Sequence, residues 1–269
     1  MVDRTDPQAE VDPQDDVDPD GWSGIAAGWA ELWGGVAEPV WRVVARATGI
    51  GAGSRVLDVG CGSGDGLAYV ARLGASVAGA DPAPGMVALA RARVPGADVR
   101  AAAADRLPWP DGAADVVTAV NVLHLTLEPS DAVAEMVRVA APGGYVAVAG
   151  WGEAAHNDLD TIERAVAASY GERPPPDDGL RLPGGPAALL RAGGLHVVAD
   201  GDVDVAWTVP DDATLLRGVL LGEDDAVIAD LRPAVAAAAR PFRTAGGGYR
   251  LGGVMRYAVA RTAGRRTAG

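Results

Sequence analysis

Val56-Leu-Asp-Val-Gly-Cys-Gly-Ser-Gly-Asp-Gly66 is the stretch from which the rest of the chain can be read. The aliphatic run Arg55-Val-Leu-Asp-Val59 predicts a buried strand, and it breaks at Gly60 into a loop with glycine at every second position. Glycine there allows a sharp turn and lets a ligand lie against bare backbone. Asp65 is placed to cap a helix over 66–73, so strand, loop and helix N-terminus together make a ligand seat. A dinucleotide fingerprint needs its third glycine where Asp65 stands, and a carboxylate there would repel a pyrophosphate. A P-loop needs Lys, and all 23 basic residues are Arg. The loop therefore suits an uncharged or cationic ligand, with the acid Asp58 in front of it.

The whole composition narrows the reading. At 269 residues the chain can bury one full core, with or without a lid. A net charge of −13 argues against a nucleic-acid surface, which needs clustered cations. The single Cys61 excludes an internal disulfide and a cysteine-rich zinc site, and in the loop it reads as a small packing residue. No apolar run approaches a membrane span, and the N-terminus is acidic where a signal peptide would be basic, so a cytoplasmic protein without membrane contact is expected. Residues 1–20 hold eight acids, one Arg and prolines at 7, 13 and 19, the composition of a disordered acidic tail.

The segment Asp58-Val-Gly-Cys-Gly-Ser-Gly64 resembles motif I of the class I S-adenosylmethionine-dependent methyltransferases, and the likeness continues in motif order over about residues 22–261. It is nearest the small-molecule branch typified by menaquinone and ubiquinone C-methyltransferases and natural-product enzymes. The resemblance implies an α/β, Rossmann-like sheet of seven strands in the order 3-2-1-4-5-7-6, the last strand antiparallel, with helical lid elements. It implies S-adenosylmethionine as cofactor and S-adenosylhomocysteine as product. Asp58, Gly60, Cys61, Gly62 and Gly64 would surround the methionine part.

A second strand ends at Asp81, an acid about 20 residues beyond the loop, where ribose hydroxyls are bound in nucleoside-binding sheets; the same residue could cap the next helix. Asp81-Pro-Ala-Pro-Gly-Met86 resembles the family's segment here, which makes Pro82 and Met86 cofactor contacts, Met86 near the adenine. Ala103-Ala-Asp-Arg-Leu-Pro-Trp-Pro-Asp-Gly112 resembles the family's G-D-A-x-x-L-P-F-x-D-G but departs from it. Aligned on Leu107-Pro108, the acid that accepts from the adenine amino group falls on Ala103. Either Asp105 substitutes for it, with Arg106 nearby, or adenine is held by main-chain groups near Ala104; one lost neutral hydrogen bond costs on the order of 1 kcal/mol.

A fourth strand delivers Asn121-Val-Leu-His124 to its C-terminal end, beside the glycine loop at the point where strand order reverses. Asn121 is a cofactor contact on this reading. His124 is either a general base or structural, and His156, in the loop after the fifth strand, is a second base candidate. Trp22, Trp29 and Trp33 lie on N-terminal lid helices over 21–50 and, with Trp151, are expected in the substrate pocket, where indole faces stabilise a cation. Residues 152–192 read as an insertion covering the acceptor, with Tyr170 in the pocket. A single domain over 21–262 and a frayed tail over 263–269 complete the division.

The expected reaction is transfer of a methyl group to an O, N or C nucleophile of a small molecule, a secondary metabolite or quinone-like acceptor, by a monomer or homodimer without a metal. The alternative keeps the fold but uses the bound cofactor for a cyclisation or rearrangement, or as a non-catalytic binding module.

Overall fold

The computed structural model describes residues 19–264. In chain order the helices are α1 Pro19–Leu32, α2 Glu38–Thr48, α3 Asp65–Arg72, α4 Pro84–Arg93, α5 Pro129–Val139, α6 Asp158–Ser169, α7 Gly185–Ala192, α8 Asp212–Val219 and α9 Asp225–Ala239. The strands are β1 Arg55–Val59, β2 Ser76–Asp81, β3 Asp98–Ala101, β4 Ala114–Val120, β5 Ala140–Trp151, β6 His196–Val209 and β7 Tyr249–Arg261. They form one sheet in the order β3-β2-β1-β4-β5-β7-β6, with β7 antiparallel to both neighbours, as the resemblance implies.

Alternation along the strands assigns the two faces. Val56 and Val116 meet Trp41 and Val70 of α2 and α3 on one face, while Leu57 and Val117 meet Val133 and Met136 of α5 on the other. Strands buried on both sides read as continuous apolar runs, which is why β1 and β4 are legible as strands but not, from pattern alone, as belonging to a particular layer. α4 joins α3 above Val99 of β3, and α7 joins α5 below β5 and β7. Beyond the C-terminal rim a third cluster gathers Ile162, Leu215, Leu231 and Val235 of α6, α8 and α9 around Trp207 and Leu251.

Local boundaries are informative in three places. Pro19 and Asp20, read as the end of a tail over 1–20, form the first turn of α1; the rest of that expected tail, residues 1–18, and the end of the expected frayed tail from 265 on lie outside the described residues. Proline at a first helical position loses no hydrogen bond there, so Pro19 opens the helix instead of blocking it. β5 begins at Ala140, five residues before Tyr145, because Ala140 pairs with Ala114 before residues 141–144 loop out and Tyr145 pairs with Val116. Asp65 does not cap α3: Gly64 holds the cap in a left-handed conformation, and Asp65 is the first helical residue. Its carboxylate accepts from the Ser63 hydroxyl at 2.6 Å and pairs with Arg93 of α4, which ties the two helices together.

Candidate active site

The site begins with the backbone of the glycine loop. Gly60 and Gly62 have φ of 66° and 51°, in the region that side chains rarely adopt. At Gly60 a Cβ would lie 2.3 Å from a Val122 methyl, so the loop and the end of β4 touch directly. At Gly62 a Cβ would meet nothing within 4 Å, because this face of the loop is open to a cavity of about 550 Å³. One glycine is required by packing, the other leaves room for a ligand.

Two acids frame the loop. Asp58 stands opposite Thr118 in the β1–β4 register, on the same face, and accepts from the Thr118 hydroxyl at 2.7 Å. It is only 4% exposed; burial pushes its pKa up to about 7, against the pull of the Thr118 bond, and the Asp81 charge adds to the rise. Asp81, at the end of β2, accepts from the Gly62 N–H at 2.9 Å and from the Ala83 N–H at 3.0 Å. Its carboxylate is thus the clip between the glycine loop and the start of α4, and burial raises its pKa against those two bonds. Asp81 does not cap α4, whose N-cap is Ala83; its carboxylate holds the turn that leads into that helix and also lines the cavity. Cys61 is buried under the loop against Gly79, and burial pushes its thiol well up, so it packs and does not react.

From Asp81 the cavity runs past Pro82 and Met86 to Ala103, Ala104 and Asp105, and on the other side past Asn121 to Trp151. Asn121 has φ of 61°, the single positive value outside glycine among the described residues; its N–H donates to Ala149 O at 2.7 Å, while its buried Oδ1 has no hydrogen-bond partner there. A buried acceptor left open beside a cavity is a place for a ligand's N–H or O–H. Gly64 and Arg106 do not line the cavity: Gly64 starts α3, and the Arg106 N–H closes a turn onto Ala103 O.

Trp22, Trp29 and Trp33 line one wall of the cavity, and Trp41 of α2 lines it with them. The ladder is continuous. Trp22 meets Trp29 edge to face at 5.2 Å, Trp29 stacks on Trp33 at 5.9 Å, and Trp33 stacks on Trp207 at 4.1 Å. Trp33 Nε1 donates to Gly218 O and Trp207 Nε1 to Leu32 O, so every buried indole N–H in the inner pair is satisfied. At its other end α1 docks on α4, where the Gly85 N–H donates to the Ser23 hydroxyl and Ala26 packs against Ala83 and Met86. α1 therefore straps the cavity from α4 to α8.

The remaining cover is not where the sequence placed it. No residue of 152–192 lines the cavity. Arg181 donates to Gly152 O and pairs with Asp160, both at 2.7 Å, and Arg256, buried in β7, donates to Arg181 O while pairing with Asp202 and Glu153. These bonds fasten the proline-rich link to the side of the sheet, and Tyr170 is 51% exposed outside the cavity. The opposite wall is instead the segment after β4, with Leu125, Thr126, Leu127 and Glu128, followed by Asp131 in the first turn of α5. The signal for it was position alone, immediately beyond the C-terminal end of a central strand.

Neither histidine reaches the cavity wall. His124 is exposed on the 3-10 turn Leu123–Leu125. His156 is exposed and lies 3.4 Å from Glu153. Among the described residues no group of three or more His, Cys, Asp or Glu is placed to hold a metal, and no helix is long and apolar enough to cross a membrane.

The arrangement fits the sulfonium nucleoside that the sequence implies. It offers an open backbone cradle at Gly62, a carboxylate at the end of β2 for sugar hydroxyls, and an unpartnered acceptor at Asn121. Comparison with known proteins agrees. A family model described as a methyltransferase domain matches residues 57–148. A demethylmenaquinone methyltransferase from Renibacterium salmoninarum is 34% identical over 174 residues, 62% of this chain and 72% of that protein. Another from Thermus thermophilus is 44% identical over 101 residues, where the chain spans 46% of the relative's length. Among solved structures, the [4+2]-cyclase SpnF superposes with a TM-score of 0.57 at 24% identity, over 85% of this chain and 81% of that one. A SAM-dependent methyltransferase from Aquifex aeolicus gives 0.51 at 24% identity, over 70% and 93%. The chain belongs to the class I S-adenosylmethionine-dependent methyltransferases that act on small molecules.

Proposed function

We propose that this protein methylates an O, N or C nucleophile on a neutral, largely apolar small molecule, a quinone-like compound or secondary metabolite, that lies against the tryptophan ladder. The observation that carries the reading is one continuous cavity joining the open face of Gly62 to the indoles of Trp29, Trp33 and Trp151. The name of the Renibacterium relative supports a quinone-like acceptor.

When bound, S-adenosylmethionine supplies a methyl group already activated on a sulfonium. Asp58 and the Gly60–Gly62 backbone would hold its methionine part, Asp81 its ribose, and Met86 with Ala104 would border its adenine. The tryptophans and Met255 exclude water and fix the acceptor's plane, and alignment of this kind can account for most of the acceleration in a displacement. Both histidines stand outside the cavity wall, so we assign neither the proton transfer: the acceptor is one whose attacking atom is nucleophilic without an imidazole base.

Incubation with S-adenosylmethionine and a panel of naphthols, quinols and aromatic amines, followed by mass spectrometry, tests this. The expected result is an acceptor heavier by one methylene with S-adenosylhomocysteine formed in equal amount. Conversion of a panel compound without that gain would favour a cofactor-assisted rearrangement instead.

A further inference from the structure

We infer that Asp131, on α5, is the carboxylate that recognises the exocyclic amino group of the cofactor's adenine, in place of the acid missing at Ala103. The inference rests on the cofactor reading above and concerns a residue that the sequence pattern did not mark. Asp131, Glu135 and Arg138 are spaced by four and three residues and share one face of α5. The last two of them clamp the loop after β3. Glu135 Oε2 accepts from the Leu107 N–H at 2.9 Å, while Arg138 donates to Leu107 O at 2.9 Å and Trp109 O at 2.8 Å and is itself held by Glu135 at 2.7 Å. One turn earlier on the same face, Asp131 lines the cavity that Ala103, Ala104 and Asp105 also line.

Asp131 and Asp105 both line the cavity, both are exposed, and neither has a side-chain hydrogen bond or ion pair among the described residues; what sets Asp131 apart is its place on the clamped face of α5. A carboxylate offers acceptors only, and an adenine amino group offers two donors and no acceptor. In the first turn of α5 that carboxylate is also favoured by the helix dipole. Asp105, the alternative, sits in the turn that Arg106 closes onto Ala103, without a helix or a clamp to hold it. Rigid support is what a binding group needs to select between two bases.

The test is calorimetry of the full chain with S-adenosylhomocysteine and with S-inosylhomocysteine, whose six-position carries a carbonyl in place of the amino group. The unmodified protein should prefer the adenosyl compound by about tenfold or more, as for a charge-assisted hydrogen bond. Asp131→Asn, which keeps a polar residue at the helix start, should abolish or reverse that preference, because its amide donates to the carbonyl; Asp105→Asn should leave it. Circular dichroism melts confirm that each variant is folded, and Asp131→Ser serves if the asparagine variant is not. Loss of the preference in Asp105→Asn alone, or no preference in the unmodified protein while the adenosyl compound still binds, overturns the assignment. If the adenosyl compound does not bind at all, the cofactor reading falls, and this inference with it.

Discussion

Asp58 is a buried acid whose pKa is raised to about 7, and the direction of its effect follows from that. The folded protein without ligand holds a proton that the unfolded chain releases near the ordinary aspartate value. The stability Asp58 contributes is therefore fully present below about pH 4 and is lost as pH rises through about 7. A ligand ammonium beside it favours the ionised form and opposes the loss. S-Adenosylhomocysteine affinity should accordingly rise from about pH 5.5 to about 7 and then level, with protons released on binding; Asp58→Asn should flatten the profile. Calorimetry in two buffers of different ionisation enthalpy reads both, and an affinity that falls with pH over that interval would refute the role.

The two glycines of the loop should separate folding from binding. Gly60→Ala forces a Cβ into Val122 as well as a left-handed backbone, and should lower the melting temperature strongly. Gly62→Ala carries only the backbone strain, about 1–2 kcal/mol, yet its Cβ enters the cavity. It should weaken S-adenosylhomocysteine binding more than it weakens the fold, and equal affinities for Gly62→Ala and the parent would remove the cradle from the account. At this scale the sequence was legible wherever a residue's role is local: Asp58, Gly60, Gly62 and Asp81 are recognisable because turn geometry and strand ends leave a chemical trace. Asp131 left none, because its place depends on the face of a helix meeting a loop more than twenty residues away.

Among the elements, α1 is the one on which the cavity depends most. It is held at α4 by Ser23 and Ala26, at α8 by the Trp33 Nε1–Gly218 O bond and at β6 by the Trp33–Trp207 stack, with an exposed Arg217–Glu31 pair to α8 that adds little. Trp33→Ala removes a buried indole and the bond to Gly218 O, and should cost about 3–5 kcal/mol in a urea titration. A cost under about 1 kcal/mol would mean that the strap stands free of the rim cluster. Most boundaries were readable from apolar runs and from the prolines and glycines between elements, whereas the strand order came from the family resemblance alone. The cover was not legible. The resemblance made residues 152–192 a lid, but Arg181 and Arg256 bind them to the sheet through partners distant in sequence, and no pattern in the segment itself announces that.

Taken whole, the molecule is acidic, and its cavity is more so. Asp58, Asp65, Asp81, Asp105, Glu128 and Asp131 line it, and among the described residues no Arg or His does. With a net charge of −13 behind them, these walls should reject carboxylated or phosphorylated acceptors and tolerate neutral or amine-bearing ones. For a matched pair of accepted compounds, adding a carboxylate should raise KM by about tenfold at low salt, and added salt should narrow the gap. A carboxylated compound taken up equally well would contradict it.

The central claim is that the open face of the glycine loop holds a sulfur-bearing nucleoside. A crystal structure with S-adenosylhomocysteine tests it most directly. The account predicts the homocysteine part over Gly60–Gly62, the ribose hydroxyls on Asp81, and the base between Met86 and Ala104. Density for the nucleoside at any other place on the molecule would contradict it.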